Sequence, residues 1–174
     1  VAMWCVNHAD DYALSDAVLA AVRASEDAAL AAVAREETMP DRVLLAAMDE
    51  WESVAVKIAR DSVGLRPSVR DRLMSDDRGK VLAAFASRAD VSDAELTLLV
   101  SRSKSVARSV ALRDAPLGES ALLAVVSALD DVSPVLSRAD VTTRVLAAAC
   151  ERVDADGARR VARRGLVDVA VAAG

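Results

Sequence analysis

Written in rows of about 25 residues, this sequence falls into register with itself. The rows begin at Ala13, Met39, Leu65, Val91, Pro116 and Val141, and each reads as two short amphipathic helices. A period of this length marks a stacked repeat, because one helix pair cannot bury its apolar face alone and buries it against the next. The expectation is an all-α chain folded as a right-handed α-solenoid of about six two-helix repeats. Its repeats fall at 13–38, 39–64, 65–90, 91–115, 116–140 and 141–165, in one repeat domain over 1–174 with partial repeats at both ends.

Local punctuation agrees with the rows. Ser15 and Ser25 precede apolar stretches as N-caps do, and Ser92-Asp93-Ala94-Glu95 is a capping-box pattern. Pro40, Pro67 and Pro116 stand at row openings, where a first-turn proline loses no hydrogen bond. Ser133-Pro134 and Asp154 start second helices, and Gly64 and Gly165 close rows. Composition supplies the physical reason for stacking. Ala (37), Val (26) and Leu (19) make up nearly half of the 174 residues, so helices can approach closely. Helices of about ten residues do not hold alone and depend on neighbours. Aromatics at 2% argue against a β-sandwich or barrel, and 53% hydrophobic residues argue against disorder.

The sharpest column is cationic. The second helix of every row ends in an arginine: Arg35, Arg60, Arg88, Arg113, Arg138 and Arg163, at spacings of 25, 28, 25, 25 and 25. Two residues before each is Val33, Ile58, Ala86, Ala111, Leu136 or Val161, and four before that Ala29, Val54, Leu82, Ala107, Val132 or Gly157. An i, i+4 pair followed by a cation in the last turn is a buried stripe with a dipole-compatible end. The third row is irregular, with Gly64, Pro67 and three arginines in its opening, and a looser joint is expected there. Residues 1–10 align with 81–90, which sets His8 in the arginine column, and 166–173 reads as an uncompleted first helix. Neither end looks capped, so the expectation is a segment of a longer protein, or an array whose ends another chain covers.

These rows resemble the HEAT-like α-helical repeats of bacterial proteins. They are similar above all to an uncharacterised alphaproteobacterial domain of unknown function, whose "Ser-Asp-x-x-Leu…Ala-x-Arg" units are matched by Val91-Ser-Asp-Ala-Glu-Leu-Thr-Leu-Leu through Ala111-Leu-Arg113. A weaker similarity is to the leucine-rich-variant repeat, whose iron–sulfur members carry a cysteine cluster that Cys5 and Cys150 cannot supply. The resemblance implies an all-α solenoid and brings no catalytic residue with it. Only three of the 22 cations are Lys, which together with the Ala and Val excess points to a bacterial genome of high GC content.

Chemistry is thinly supplied. Cys5 with the single histidine, His8, falls short of the four ligands of a structural zinc, and Cys150 after three alanines reads as buried and inert. Paired carboxylates (Asp10-Asp11, Glu36-Glu37, Asp76-Asp77, Asp130-Asp131) fall at helix boundaries and read as caps. No glycine-rich phosphate loop exists, so no catalysis, cofactor or metal is expected. The longest uncharged run near the middle, 120–129, is half of what a membrane span needs, and no signal peptide opens the chain. With two distant cysteines, these features point to the cytoplasm.

Binding is the remaining class. A ladder of guanidiniums could hold an acidic peptide or a phosphate backbone. Against that, Glu36, Asp61, Asp90, Asp114 and Asp140 follow closely, and Arg–acid contacts plus capping of the last carbonyls would occupy the ladder; the structural role is the weightier. Arg159, Arg160, Arg163 and Arg164 form a second cationic cluster that could meet an acidic partner. Trp51 opens a second helix, with burial against a neighbouring repeat favoured over a partner contact. The net charge is −5, with net −7 over 1–64 and net +3 over 65–115. An acidic chain is a poor phosphate neutraliser. The leading reading is a non-catalytic protein–protein interaction scaffold that uses its concave face. Its alternatives are nucleic-acid binding through the arginine column and the basic 65–115 segment, and self-assembly into a homo-oligomer.

Overall fold

Sequences of this kind place their apolar residues three and four apart, and a computed structural model turns those stripes into helices. The structure describes residues 15–35 and 38–152, and among these it is all-helical, with eleven helices and no strand. Packing divides the chain into two compact units between Arg88 and Ala89, close to the expected row boundary at 90/91.

The first unit contains α1 (Ser15–Ala24), α2 (Glu26–Val33), α3 (Asp41–Glu50), α4 (Glu52–Asp61), α5 (Pro67–Ser75) and α6 (Gly79–Ala86). Helices pair as hairpins, α1 with α2, α3 with α4 and α5 with α6. Successive hairpins then pack like on like. First helix α3 lies against α1 and α5, and second helix α4 lies against α2 and α6. The second unit contains α7 (Asp93–Val100), α8 (Lys104–Ala111), α9 (Glu119–Ala128), α10 (Ser133–Leu136) and α11 (Thr143–Cys150). The same rule holds within it: α9 packs on α7 and α11, and α10 on α8.

The stripe that drives this is the expected one. Ala29, Val33, Val54, Ile58, Leu82, Ala86, Ala107, Ala111 and Val132 are all buried, and Leu136 is half-buried. Each burial removes apolar surface at about 25 cal/mol per Å², so short helices gain from their neighbours what they lack alone. Phe85 is fully buried, and the Arg70 guanidinium lies 5.4 Å from its ring centroid.

Boundaries differ from the rows in particular places. Ser25 caps α2 by accepting the Ala28 N–H, and Ser92 with Glu95 forms the complete capping box of α7. Pro67 is the first residue of α5, but Pro40 is the N-cap of α3, and Pro116 lies outside α9, whose N-cap is Gly118. α10 is only four residues long: Val132 caps it without an extended backbone, and the Asp131 carboxylate receives the Ser133 N–H at 2.9 Å. Gly64 has φ of +74°, the left-handed turn that lets the chain leave α4. No helix of the described residues is long and apolar enough to cross a membrane.

Candidate functional site: the arginine column

Second helices end with their last carbonyls unsatisfied, and the column arginines stand two residues beyond the buried stripe, where they can reach carbonyls of the preceding hairpin. Arg88 donates from Nη1 to the Ala59 and Ser62 carbonyls, at 3.2 and 2.8 Å, and so closes the end of α4. Arg138 does the same for α8. Its Nη1 donates to the Ala111 carbonyl at 3.2 Å and to that of Arg113, and its Nη2 donates to Ala115 at 2.9 Å. The following acid completes the clamp. Asp140 accepts Nε and Nη2 of Arg138 in a bidentate pair at 2.8 and 2.7 Å, and also accepts the Leu117 N–H at 2.7 Å. The Arg138 hydrogen bond holds the Asp140 carboxyl below its ordinary value against the opposing effect of burial, with the Leu117 N–H and the arginine charge adding to it.

Arg113 departs from this pattern. It is 7% exposed, yet Nε and Nη1 have no acceptor. Burial pushes its pKa down, the Arg138 charge adds to that, and Asp90 opposes it. Arg35 lies two residues beyond α2, half-buried.

Arg60 stands in the last turn of α4 after the buried Val54 and Ile58, as expected, but out of register with Arg88 and Arg138. Each second helix of the first unit buries two adjacent pairs: Ala28-Ala29 and Ala32-Val33 in α2, Val54-Ala55 and Ile58-Ala59 in α4, Val81-Leu82 and Phe85-Ala86 in α6. Aligned on these pairs, the column position of α4 is Asp61. Arg60 is one residue early, about 100° around the helix, and is exposed inside the last turn. The uneven spacings of 25 and 28 on either side of Arg60 become 26 and 27 when counted through Asp61. Arg159, Arg160, Arg163 and Arg164, with Cys5, His8, Asp10-Asp11 and Glu36-Glu37, lie outside the described residues.

Two open cavities line this edge. One of about 370 Å³ is bordered by Leu112, Arg113, Asp114, Pro116, Arg138 and Asp140. Another, of about 590 Å³ in the first unit, is bordered by Arg35, Thr38, Asp61, Val63, Gly64 and Arg66. The first sets two arginines beside two aspartates and the second two arginines beside one, so both mix charges of either sign.

A second set of donors, of which the sequence marked only Trp51 as packing on a neighbouring repeat, works at the first-helix ends. Trp51, half-buried between α3 and α4, donates its indole N–H to the Val22 carbonyl of α1 at 2.7 Å. Arg78 donates to Met48 of α3 at 2.8 Å, and Arg152 donates to Ser127 at 2.5 Å and to Leu129 at 3.2 Å at the end of α9. Its sequence signal was a long donor one to three residues past each first helix. Beside it, Asp76 is buried at 1% exposure and receives Arg78 at Nε and Nη2 (2.9 and 2.6 Å), the Arg78 N–H (2.8 Å) and Arg72 (2.9 Å). Burial raises its pKa, but these hydrogen bonds and charges outweigh burial and hold it below the ordinary 3.8. Of the carboxylate pairs, Asp76 is thus an ion-pair centre at a helix C-terminus, Asp130 pairs with Lys104, and Asp131 accepts the Ser133 N–H from beside the N-cap Val132.

Helix starts carry a third set of ties. Arg42 pairs with Asp16, Arg66 and Ser68 meet Asp41, Lys80 pairs with Glu52 at 3.2 Å, and Thr142 and Arg144 meet Glu119. Cys150 is exposed, correcting the expected burial: the stripe of α11 is Val145 and Ala149, and the next residue turns away from it. Among the described residues no group of three or more His, Cys, Asp or Glu could hold a metal ion. No family model, no curated protein and no solved structure matches the chain.

Proposed function

We propose that this chain is a non-catalytic protein–protein interaction scaffold, a HEAT-like right-handed α-solenoid of about six two-helix repeats. The observation that carries the reading is the like-on-like stacking of hairpins within each unit, tied at every level by side chains that reach from one hairpin to the one before. Sequence register supports continuity along the chain, since Arg113 follows Arg88 by 25 residues, as Arg138 follows Arg113. Stacked hairpins of this kind present an extended surface whose side chains are free to vary while the buried stripe is kept. Partner binding then belongs to the concave face, and the arginine column serves the framework.

The nucleic-acid alternative loses support from the ion pairs. Within 65–115, Arg66, Arg72, Arg78, Lys80 and Lys104 are each paired with a carboxylate, which removes half of the ten cations from phosphate neutralisation. The test is titration of the purified chain with the protein that copurifies with it in its native host. A saturable complex of fixed stoichiometry, insensitive to nuclease, is the expected result. Retention on heparin that falls steeply with salt would instead favour the phosphate-binding alternative.

A further inference from the structure

Arg88 and Arg138 give guanidinium N–H groups to carbonyls of the preceding hairpin, whereas Arg113, 7% exposed, has no acceptor at Nε or Nη1. Asp90 acts on it through its charge, without a hydrogen bond to either nitrogen. A buried guanidinium in this state has lost water and received nothing in return, and such a group calls for a counter-charge. Its place is nonetheless fixed. The Arg113 carbonyl accepts Arg138 Nη1, and the Arg113 N–H donates to the Val110 carbonyl at 3.2 Å.

Arg113 stands in the wall of the cavity of about 370 Å³ that opens beyond the ends of α8 and α10. The other charges of that wall are already met. Arg138 and Asp140 hold each other in a bidentate pair, and Asp114 is exposed, where water screens its charge. Leu112, 65% exposed, and Pro116 border the same space with apolar surface. A cation in need of a partner beside an apolar wall suits an aliphatic carboxylate. Its plane matches the guanidinium, its single charge neutralises it, and its carbon chain covers the leucine and proline. A phosphate dianion would bring twice the charge against Asp114 and Asp140 and is disfavoured. We propose that this cavity binds an aliphatic carboxylate, with Arg113 as its counterion and Leu112 and Pro116 against its carbon chain. It is a single anchor, leaves Arg88 and Arg138 as ties, and does not depend on the scaffold reading.

The probe is sodium butyrate, titrated by NMR into the full isotope-labelled chain at constant ionic strength, with butyramide as the uncharged control and inorganic phosphate as the dianion. Saturable shifts of the Arg113 Nε–H and of the amides of 111–115 and 137–140 are expected, with binding of either control weaker by about tenfold. An end-blocked tripeptide Ala-Glu-Ala separates the sources of the carboxylate. Tighter binding than butyrate assigns the site to an acidic side chain of a partner, and weaker binding assigns it to a free acid. Arg113→Met gives a second readout, because it removes an unpaired buried charge and keeps an apolar stem. Its urea midpoint should equal or exceed that of the parent, and butyrate should raise the midpoint of the parent alone. No saturable shift with butyrate or the peptide, or equal binding of butyramide or phosphate, overturns the assignment. A variant that unfolds before the parent, or fails to fold, overturns it too, since Arg113 would then be a hairpin tie like Arg138.

Discussion

Arg138 and Arg60 differ by where their side chains stand relative to a buried stripe. Arg138 sits beyond it and donates to three carbonyls and a carboxylate, whereas Arg60 sits within its helix and faces solvent. One residue of register converts a tie between hairpins into a surface charge. Trp51 is the neutral version of the same tie. Trp51→Phe keeps most of the ring burial and deletes the N–H to Val22, so it should cost about 1 kcal/mol in urea unfolding, the net worth of one hydrogen bond. No change in midpoint would contradict the role given to the indole. Gly118 is fixed by a neighbour: a Cβ there would stand 2.5 Å from Asp93 Cγ, whose carboxylate accepts the Ala121 N–H at the start of α9. Gly118→Ala should therefore destabilise by about 1–3 kcal/mol through overpacking. The same substitution made beside Asp93→Ala should cost less, and equal costs in the two backgrounds would refute the clash.

At the scale of elements, helix ends are where this chain is specified. The capping box of α7 joins Ser92 and Glu95 reciprocally, and Ser92→Ala should lose about 1 kcal/mol, read from the same unfolding curves. The ends of α5 and of the hairpin containing α10 depend on ionised aspartates. Asp76 and Asp140 both titrate below the ordinary 3.8 in the folded chain, so the unfolded chain binds protons first as pH falls. Their stabilisation is complete above about pH 5 and is lost as pH drops through the ordinary carboxylate range toward their folded values. Denaturation midpoints at pH 6 and pH 3 should differ accordingly, and Asp76→Asn should lower the first while flattening the difference. The helices, the capping box and the buried i, i+4 stripe were legible because each depends on spacing within about ten residues. Arg60 was placed in the last turn of α4, where it stands, but its offset from Arg88 and Arg138 was not legible, because either of two adjacent buried pairs in α4 satisfies an i, i+4 pattern. Trp51 was legible as packing on a neighbouring repeat, but its hydrogen bond and the donors Arg78 and Arg152 were not, because the acceptors lie about 25–30 residues back, where only packing brings carbonyl and side chain together.

Across the molecule, a chain rich in alanine offers little apolar area per helix, so hairpin order must be set by something besides burial. Polar ties do this here, and they run in a consistent sense at the helix ends: Trp51, Arg78, Arg88, Arg138 and Arg152 all donate to carbonyls of the preceding hairpin. The pairing of basic 65–115 with acids of neighbouring helices also explains how segments of opposite net charge coexist in an overall acidic protein. The central claim is that the arginine column holds hairpins together and is not a binding ladder. The most direct measurement compares urea unfolding of Arg138→Met and Arg60→Met with the parent chain. A loss of about 2–4 kcal/mol for Arg138→Met, with Arg60→Met within about 0.5 kcal/mol of the parent, is the predicted result. Equal and small effects at both positions would contradict it.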